Sequence, residues 1–143
     1  MELKIAVAVD KDGVVFPGHF AHAPVYRIYK YSNGRLELVE ERRNPLGDVP
    51  DLDHGHHISR LNTDFEGESP ETPPAHGLPK YQWLRSRVLP DVSVVIAGGA
   101  CQTSYRYFTS EGVKLLFTDP VDVETLEAYV TQNREEFEQA LRE

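Results

Sequence analysis

One cysteine and six histidines are the side chains in this chain best suited to soft-metal or nucleophilic chemistry. Cys101 follows the run Val94-Val95-Ile96-Ala97-Gly98-Gly99-Ala100. The apolar part reads as a strand covered on both faces, and the paired glycines as a sharp turn that another group can approach closely. Cys101 then falls near the N-terminus of a helix, where unpaired N–H groups and the helix dipole favour a thiolate or another anion. His54, His56 and His57 are packed into Asp53-His54-Gly55-His56-His57, and Gly55 permits the turn that would bring all three to one ion. His19 and His22 share a loop with Phe20, and His76 precedes Gly77. Imidazole suits zinc, copper, iron and nickel, although no zinc-type Cys/His spacing is present. The plainer reading is that the histidines, with His22 taken as a surface residue, are satisfied by water or backbone, and that Cys101 is a small residue buried at a helix start.

These residues need a scaffold, and the hydrophobic pattern supplies one. Residues 3–9 are almost continuously apolar and end in Asp10-Lys11-Asp12-Gly13, so they predict a central strand followed by a turn. Two β-rich runs, 25–31 and 35–41, flank Asn33-Gly34, a strong hairpin signal. Leu36, Leu38 and Glu40 alternate there with Glu37, Val39 and Glu41, as on a strand near a sheet edge with one wet face. The spacing predicts a helix over 79–88 with Trp83, Leu84 and Val88 buried, a strand over 92–97, a helix over 101–111 ended by Gly112, and a strand over 113–117. Asp122 is placed to cap a final helix carrying Val123, Leu126, Tyr129, Val130, Phe137 and Leu141 at helical spacing. The charged end of that helix is expected to project or fray. Residues 44–79 hold six of the ten prolines and no sustained apolar period, and about 48–75 reads as a flexible insertion or functional flap.

The predicted order is β-ββ-α-β-α-β-α: a mixed five-stranded sheet with helices on its faces, in one α/β domain. In such sheets ligands bind outside the C-terminal ends of the parallel strands. Asp10, the His19 loop and the Gly98-Gly99 turn would meet there.

Composition narrows the function classes. With 15 basic and 23 acidic residues the net charge is −8, which disfavours sequence-independent nucleic-acid binding. No apolar run approaches the ~18–20 residues a membrane helix needs, and the first residues lack signal-peptide architecture. A lone cysteine suits a reducing compartment, so a cytoplasmic location is expected.

Three stretches resemble the dinitrogenase iron–molybdenum cofactor biosynthesis family, the NifX-type domain. They are Lys4-Ile5-Ala6-Val7-Ala8-Val9-Asp10 with Pro17-Gly18-His19-Phe20-Ala21-His22-Ala23-Pro24, then His76-Gly77-Leu78-Pro79 before Trp83-Leu84, then Val94-Val95-Ile96-Ala97-Gly98-Gly99. Weaker similarity continues at Gly112-Val113-Lys114 and Asp122-Val123-Glu124. The resemblance implies a ribonuclease-H-like fold and non-catalytic binding or carrying of an iron–sulfur or iron–molybdenum cofactor precursor. It implies cofactor-assembly or acceptor proteins as partners and leaves room for a homodimer. Two features depart from the family pattern: Ala100-Cys101 after the glycines, where Ile-Gly or Met-Gly is usual, and the histidine-rich insertion. Both add ligands.

The expected cofactor-binding residues are therefore His19, Phe20, Gly98, Gly99, Ala100 and Cys101, and the expected metal ligands His19, His54, His56, His57, His76 and Cys101. If no iron–sulfur-type cluster is bound, a transition metal held by histidine is expected. One cysteine cannot hold a conventional four-thiolate cluster, which favours labile carriage. Two other classes stay open: a metal-free structural or regulatory interaction domain, and a cysteine-dependent enzyme using Cys101 with His19 as base. A two-metal nuclease lacks the required carboxylates, because Asp10 at the end of the first strand has no acid to match it at Ala97-Gly98-Gly99. Asp10 is expected to order the turn after it.

Overall fold

A computed structural model describes residues 2–48 and 77–143. Strands β1 (Glu2–Val9), β2 (Val25–Ser32), β3 (Arg35–Arg43), β4 (Val94–Ala97) and β5 (Lys114–Phe117) form one sheet in the order β3-β2-β1-β4-β5. The hairpin strands pair antiparallel, β2 with β1 and β3 with β2. β4 runs parallel to β1, and β5 parallel to β4. This is the expected ribonuclease-H-like mixed five-stranded sheet. Asn33 and Gly34 both take positive φ, as the tight hairpin turn requires. A register shift opposite Ile28 and Tyr29 lets Val39 bulge outward on the edge strand.

The central strands are apolar on both faces because both faces are covered. Ala6, Ala8, Val95 and Ala97 join one core with Tyr81 and Leu84 of α1 (Gly77–Arg87), Val88 just after it, and Phe108 of α2 (Gln102–Ser110). Ile5, Val7, Val94 and Ile96 join the other with Val123, Leu126 and Val130 of α3 (Val123–Gln132) and Phe137 of α4 (Arg134–Arg142). Ala6, Ala8 and Ala97 leave little side-chain bulk on the first face, so the large Tyr26, Phe20 and Phe108 fill it.

The structure corrects the final helix. It is two helices, broken at Asn133 (φ −123°, ψ 46°), whose backbone N–H and side-chain amide both donate to the Tyr129 carbonyl. The charged end does not fray: Phe137 is buried, its ring lies 5.2 Å from that of Tyr31, and Tyr31 donates a hydrogen bond to Glu138. β4 also starts later than expected, at Val94. Asp122 caps α3 as anticipated, accepting from Thr125 N–H at 2.8 Å.

Candidate functional site

The first strand delivers its loop through Asp10, whose Oδ1 accepts from the N–H of Asp12 (2.8 Å) and of Val14 (3.1 Å). This is the turn-ordering role expected of it. Val15 bridges back to Val9, and Phe16 N–H donates to the Ala8 carbonyl. Phe16-Pro17-Gly18 then crosses directly over the turn that follows β4. A Cβ on Gly98 would lie 2.3 Å from the Phe16 carbonyl oxygen, and one on Gly99 would lie 3.1 Å from that of Gly18. The close approach foreseen at the paired glycines is thus made by the protein's own backbone. Phe20 N–H closes the junction on the Gly99 carbonyl at 2.9 Å.

That junction presents His19 to Cys101. His19 caps a short 3-10 turn, Phe20–His22, with Nδ1 accepting from Ala21 N–H at 3.1 Å. Cys101 is the N-cap of α2: its Sγ accepts from Ser104 N–H at 3.4 Å, and Ser104 Oγ accepts from Cys101 N–H at 3.1 Å. The reciprocal pair is a capping box with sulfur in the place of the usual hydroxyl oxygen. From α1, the Tyr81 hydroxyl reaches between the two residues, 3.0 Å from Cys101 Sγ and 3.2 Å from His19 Nε2. Ser104 Oγ lies 3.4 Å from the same nitrogen. The Tyr81 ring is buried and stacks on His19 with centroids 5.6 Å apart and planes 5° from parallel.

The surroundings activate the thiol. Burial is the largest single influence and pushes the Cys101 pKa up. Hydrogen bonds from His19, Ser104 and Tyr81 together outweigh it, bringing the value from an ordinary 9.0 down to about 6. At neutral pH the half-buried sulfur is an anion held among donors at a helix N-terminus. It can ligate a soft metal or attack an electrophile.

The other expected site residues are placed as follows. Ala100 is half-buried and packs against the core beside Cys101. The Phe20 ring is fully buried, edge-on to Phe108 at 5.3 Å, so it anchors the loop from inside the core. His54, His56, His57 and His76, with the insertion that carries most of them, lie outside the described residues. Among the described residues no group of three or more His, Cys, Asp or Glu side chains is placed to hold one ion. His22 corrects the surface assignment: it is 7% exposed, with Nδ1 3.0 Å from the Leu46 carbonyl and Nε2 2.9 Å from Nζ of the fully buried Lys80.

Tyr81 and Ser104 were not foreseen from sequence. Tyr81 lies three and seven residues before Leu84 and Val88, so helical spacing alone would have put it on their buried stripe. Ser104 stands at the N3 position of a capping box, a pattern obscured because cysteine seldom opens one. An apolar groove of about 360 Å³ lies on the opposite face, lined by Ile96, Phe117, Leu126, Tyr129 and Phe137. It contains no residue of the Cys101 cluster.

Among solved structures, the crystal structure of PH0822 matches with a TM-score of 0.57 at 11% identity, over 92% of each chain. The NMR structure of a candidate NifB protein from Thermotoga, assigned to the DUF35 family, matches with a TM-score of 0.52 at 21% identity, over 92% of this chain and 90% of that one. Both likenesses are of fold. None of the curated proteins matches the chain. No described helix is long and apolar enough to cross a membrane. The family described as dinitrogenase iron–molybdenum cofactor matches residues 1–132, spanning all five strands and every element of the Cys101 cluster. The chain belongs to the dinitrogenase iron–molybdenum cofactor family.

Proposed function

We propose that this protein binds and carries an iron–sulfur or iron–molybdenum-type cofactor precursor, without catalysing a reaction on it, by attaching the cargo to Cys101 at the C-terminal edge of the sheet. The observation that carries the reading is the convergence of His19, Tyr81 and Ser104 on one activated thiol. A metal–sulfide cargo is anionic and rich in sulfur, so thiolate ligation and hydrogen bonds to sulfide suit it together. The donor set fits such a group. A single thiolate among the described residues also suits a cargo that must leave again, since permanent clusters are held by about four. His54, His56, His57 and His76 are proposed as additional ligands on the strength of the sequence. Cofactor-assembly or acceptor proteins in the cytoplasm would be the partners, with the protein acting alone or as a homodimer.

The cysteine-enzyme reading keeps an activated thiol but cannot use His19 as the base that deprotonates it. A general base needs a lone pair facing the thiol, and the His19 lone pair is on Nδ1, accepting from Ala21. The test of the carrier reading is anaerobic titration of the metal-free protein with iron and sulfide, followed by visible absorption. Sulfide-to-iron charge-transfer bands should grow with wild type, weaken when His54, His56 and His57 are all replaced by alanine, and be absent in Cys101→Ala. A wild type that stays colourless would defeat the proposal.

A further inference from the structure

Hydrogen-bond direction at His19 distinguishes a metal ligand from a hydrogen-bond donor. A backbone amide can only donate, so the contact from Ala21 N–H places a lone pair on Nδ1 and the ring hydrogen on Nε2. Nε2 is the nitrogen that faces the site, toward the Tyr81 and Ser104 hydroxyls. Ligation requires a lone pair on the coordinating nitrogen, with the other nitrogen normally donating to a carbonyl or carboxylate. To ligate through Nε2, His19 would have to carry its hydrogen on Nδ1, aimed at the Ala21 N–H. Two donors would then face each other, and the 3-10 turn would lose its cap. Flipping the ring would put carbon atoms in both nitrogen positions. The ring is also held in place, stacked on Phe20 at 5.3 Å and on Tyr81 at 5.6 Å.

His22 shows the opposite arrangement a few ångströms away. Its Nδ1 meets the Leu46 carbonyl, which can only accept, so the hydrogen is on Nδ1 and Nε2 offers a lone pair. That lone pair is taken by Lys80 Nζ at 2.9 Å.

Building on the carrier reading, we infer that His19 is a fixed N–H donor, turned toward the Tyr81 and Ser104 hydroxyls that flank the sulfur, rather than a metal ligand. Cys101 is then the one direct ligand among the described residues. His19, Tyr81 and Ser104 surround the ligating sulfur and the nearest sulfide of the cargo with hydrogen bonds. His19 is a positioning residue in this arrangement, and what it selects for is an anionic sulfur-bearing ligand.

The first test needs no cargo. In protein labelled with ¹⁵N at histidine, long-range ¹H–¹⁵N NMR of the metal-free form should show the Nε2–H tautomer at His19 and the Nδ1–H tautomer at His22. Finding Nδ1–H at His19 would overturn the inference, whether or not the protein binds a cluster. In the second test the labelled protein is loaded anaerobically with iron and sulfide, reduced, and studied by pulsed EPR. Strong ¹⁵N hyperfine coupling of a directly bound imidazole, where seen, should come from His54, His56, His57 or His76 and be unchanged in His19→Gln; coupling that His19→Gln abolishes would overturn the inference while leaving the carrier reading intact. Variants supply the third arm. His19→Gln can keep an N–H donor but no basic nitrogen, so cluster affinity should stay within about threefold of wild type, whereas His19→Ala should lose about tenfold, as loss of an outer-shell partner does. Equal losses in both variants, with melting temperatures unchanged, would contradict the donor role.

Discussion

Replacing Gly98 with alanine tests how the site is assembled. Gly98 does not occupy the left-handed region, so alanine carries no conformational penalty there, and its cost is steric. The new Cβ would stand 2.3 Å from the Phe16 carbonyl oxygen and 3.1 Å from Pro17 Cα, whereas ordinary contacts begin at 3.4 Å. The obstruction is backbone, which cannot rotate aside as a side-chain tip would, so the 16–18 segment must move by about an ångström. Overpacking of this kind costs ~1–3 kcal/mol, and a backbone clash belongs at the upper end. For a domain of this size ~3 kcal/mol lowers Tm by roughly 10 °C, measurable by calorimetry or thermal CD. Because the same segment carries His19, the Cys101 thiol should also lose a donor, and its alkylation midpoint should rise. Gly112→Ala is the control: it sits at φ +81° with nothing within 4 Å, far from the loop. It should cost only ~1–2 kcal/mol of backbone strain and leave the thiol midpoint unchanged. A Gly98→Ala protein that melts with wild type would refute the claim that the glycine pair exists to admit the Phe16-Pro17-Gly18 backbone.

Three further outcomes follow from the same structure. The rate of Cys101 alkylation by iodoacetamide should rise with pH through a midpoint of about 6, and Tyr81→Phe, which removes the donor 3.0 Å from sulfur, should raise that midpoint by about one unit. Because the folded-state pKa of Cys101 is depressed, its contribution to stability is full above the ordinary value of 9.0 and is lost as pH falls through about 6. The stability of wild type relative to Cys101→Ser should therefore increase between pH 6 and 9 in urea melts, and a flat difference would contradict the shifted thiol. Phe137→Ala, at a position only 5% exposed, should cost ~3–5 kcal/mol and raise amide exchange across α4, whereas a fraying helix would show neither effect.

Much of this architecture was legible in the residues. Continuous apolar runs at β1 and β4 required cover on both faces, and Asn33-Gly34 fixed the hairpin. The order of elements then placed the His19 loop and the Cys101 turn at one sheet edge. The contacts within the site were less legible, because they depend on where α1 docks. Tyr81 is twenty residues before Cys101, and only tertiary packing puts its hydroxyl between sulfur and imidazole. The glycine pair could be read as allowing close approach, but not as to what approaches. The break at Asn133 was hidden because the apolar spacing continues across it, and the buried pairing of His22 with Lys80 had no local signal at all. The likeness to a cofactor family drew attention to the histidine; the protonation pattern that gives it a role follows from one backbone hydrogen bond.

The most direct measurement of the central claim is a count of iron and sulfide per chain after anaerobic loading and gel filtration, with wild type and Cys101→Ala compared at equal folded fraction. The carrier account predicts iron and sulfide co-eluting with wild type and nearly none with the variant. Equal metal and sulfide in both proteins would contradict it.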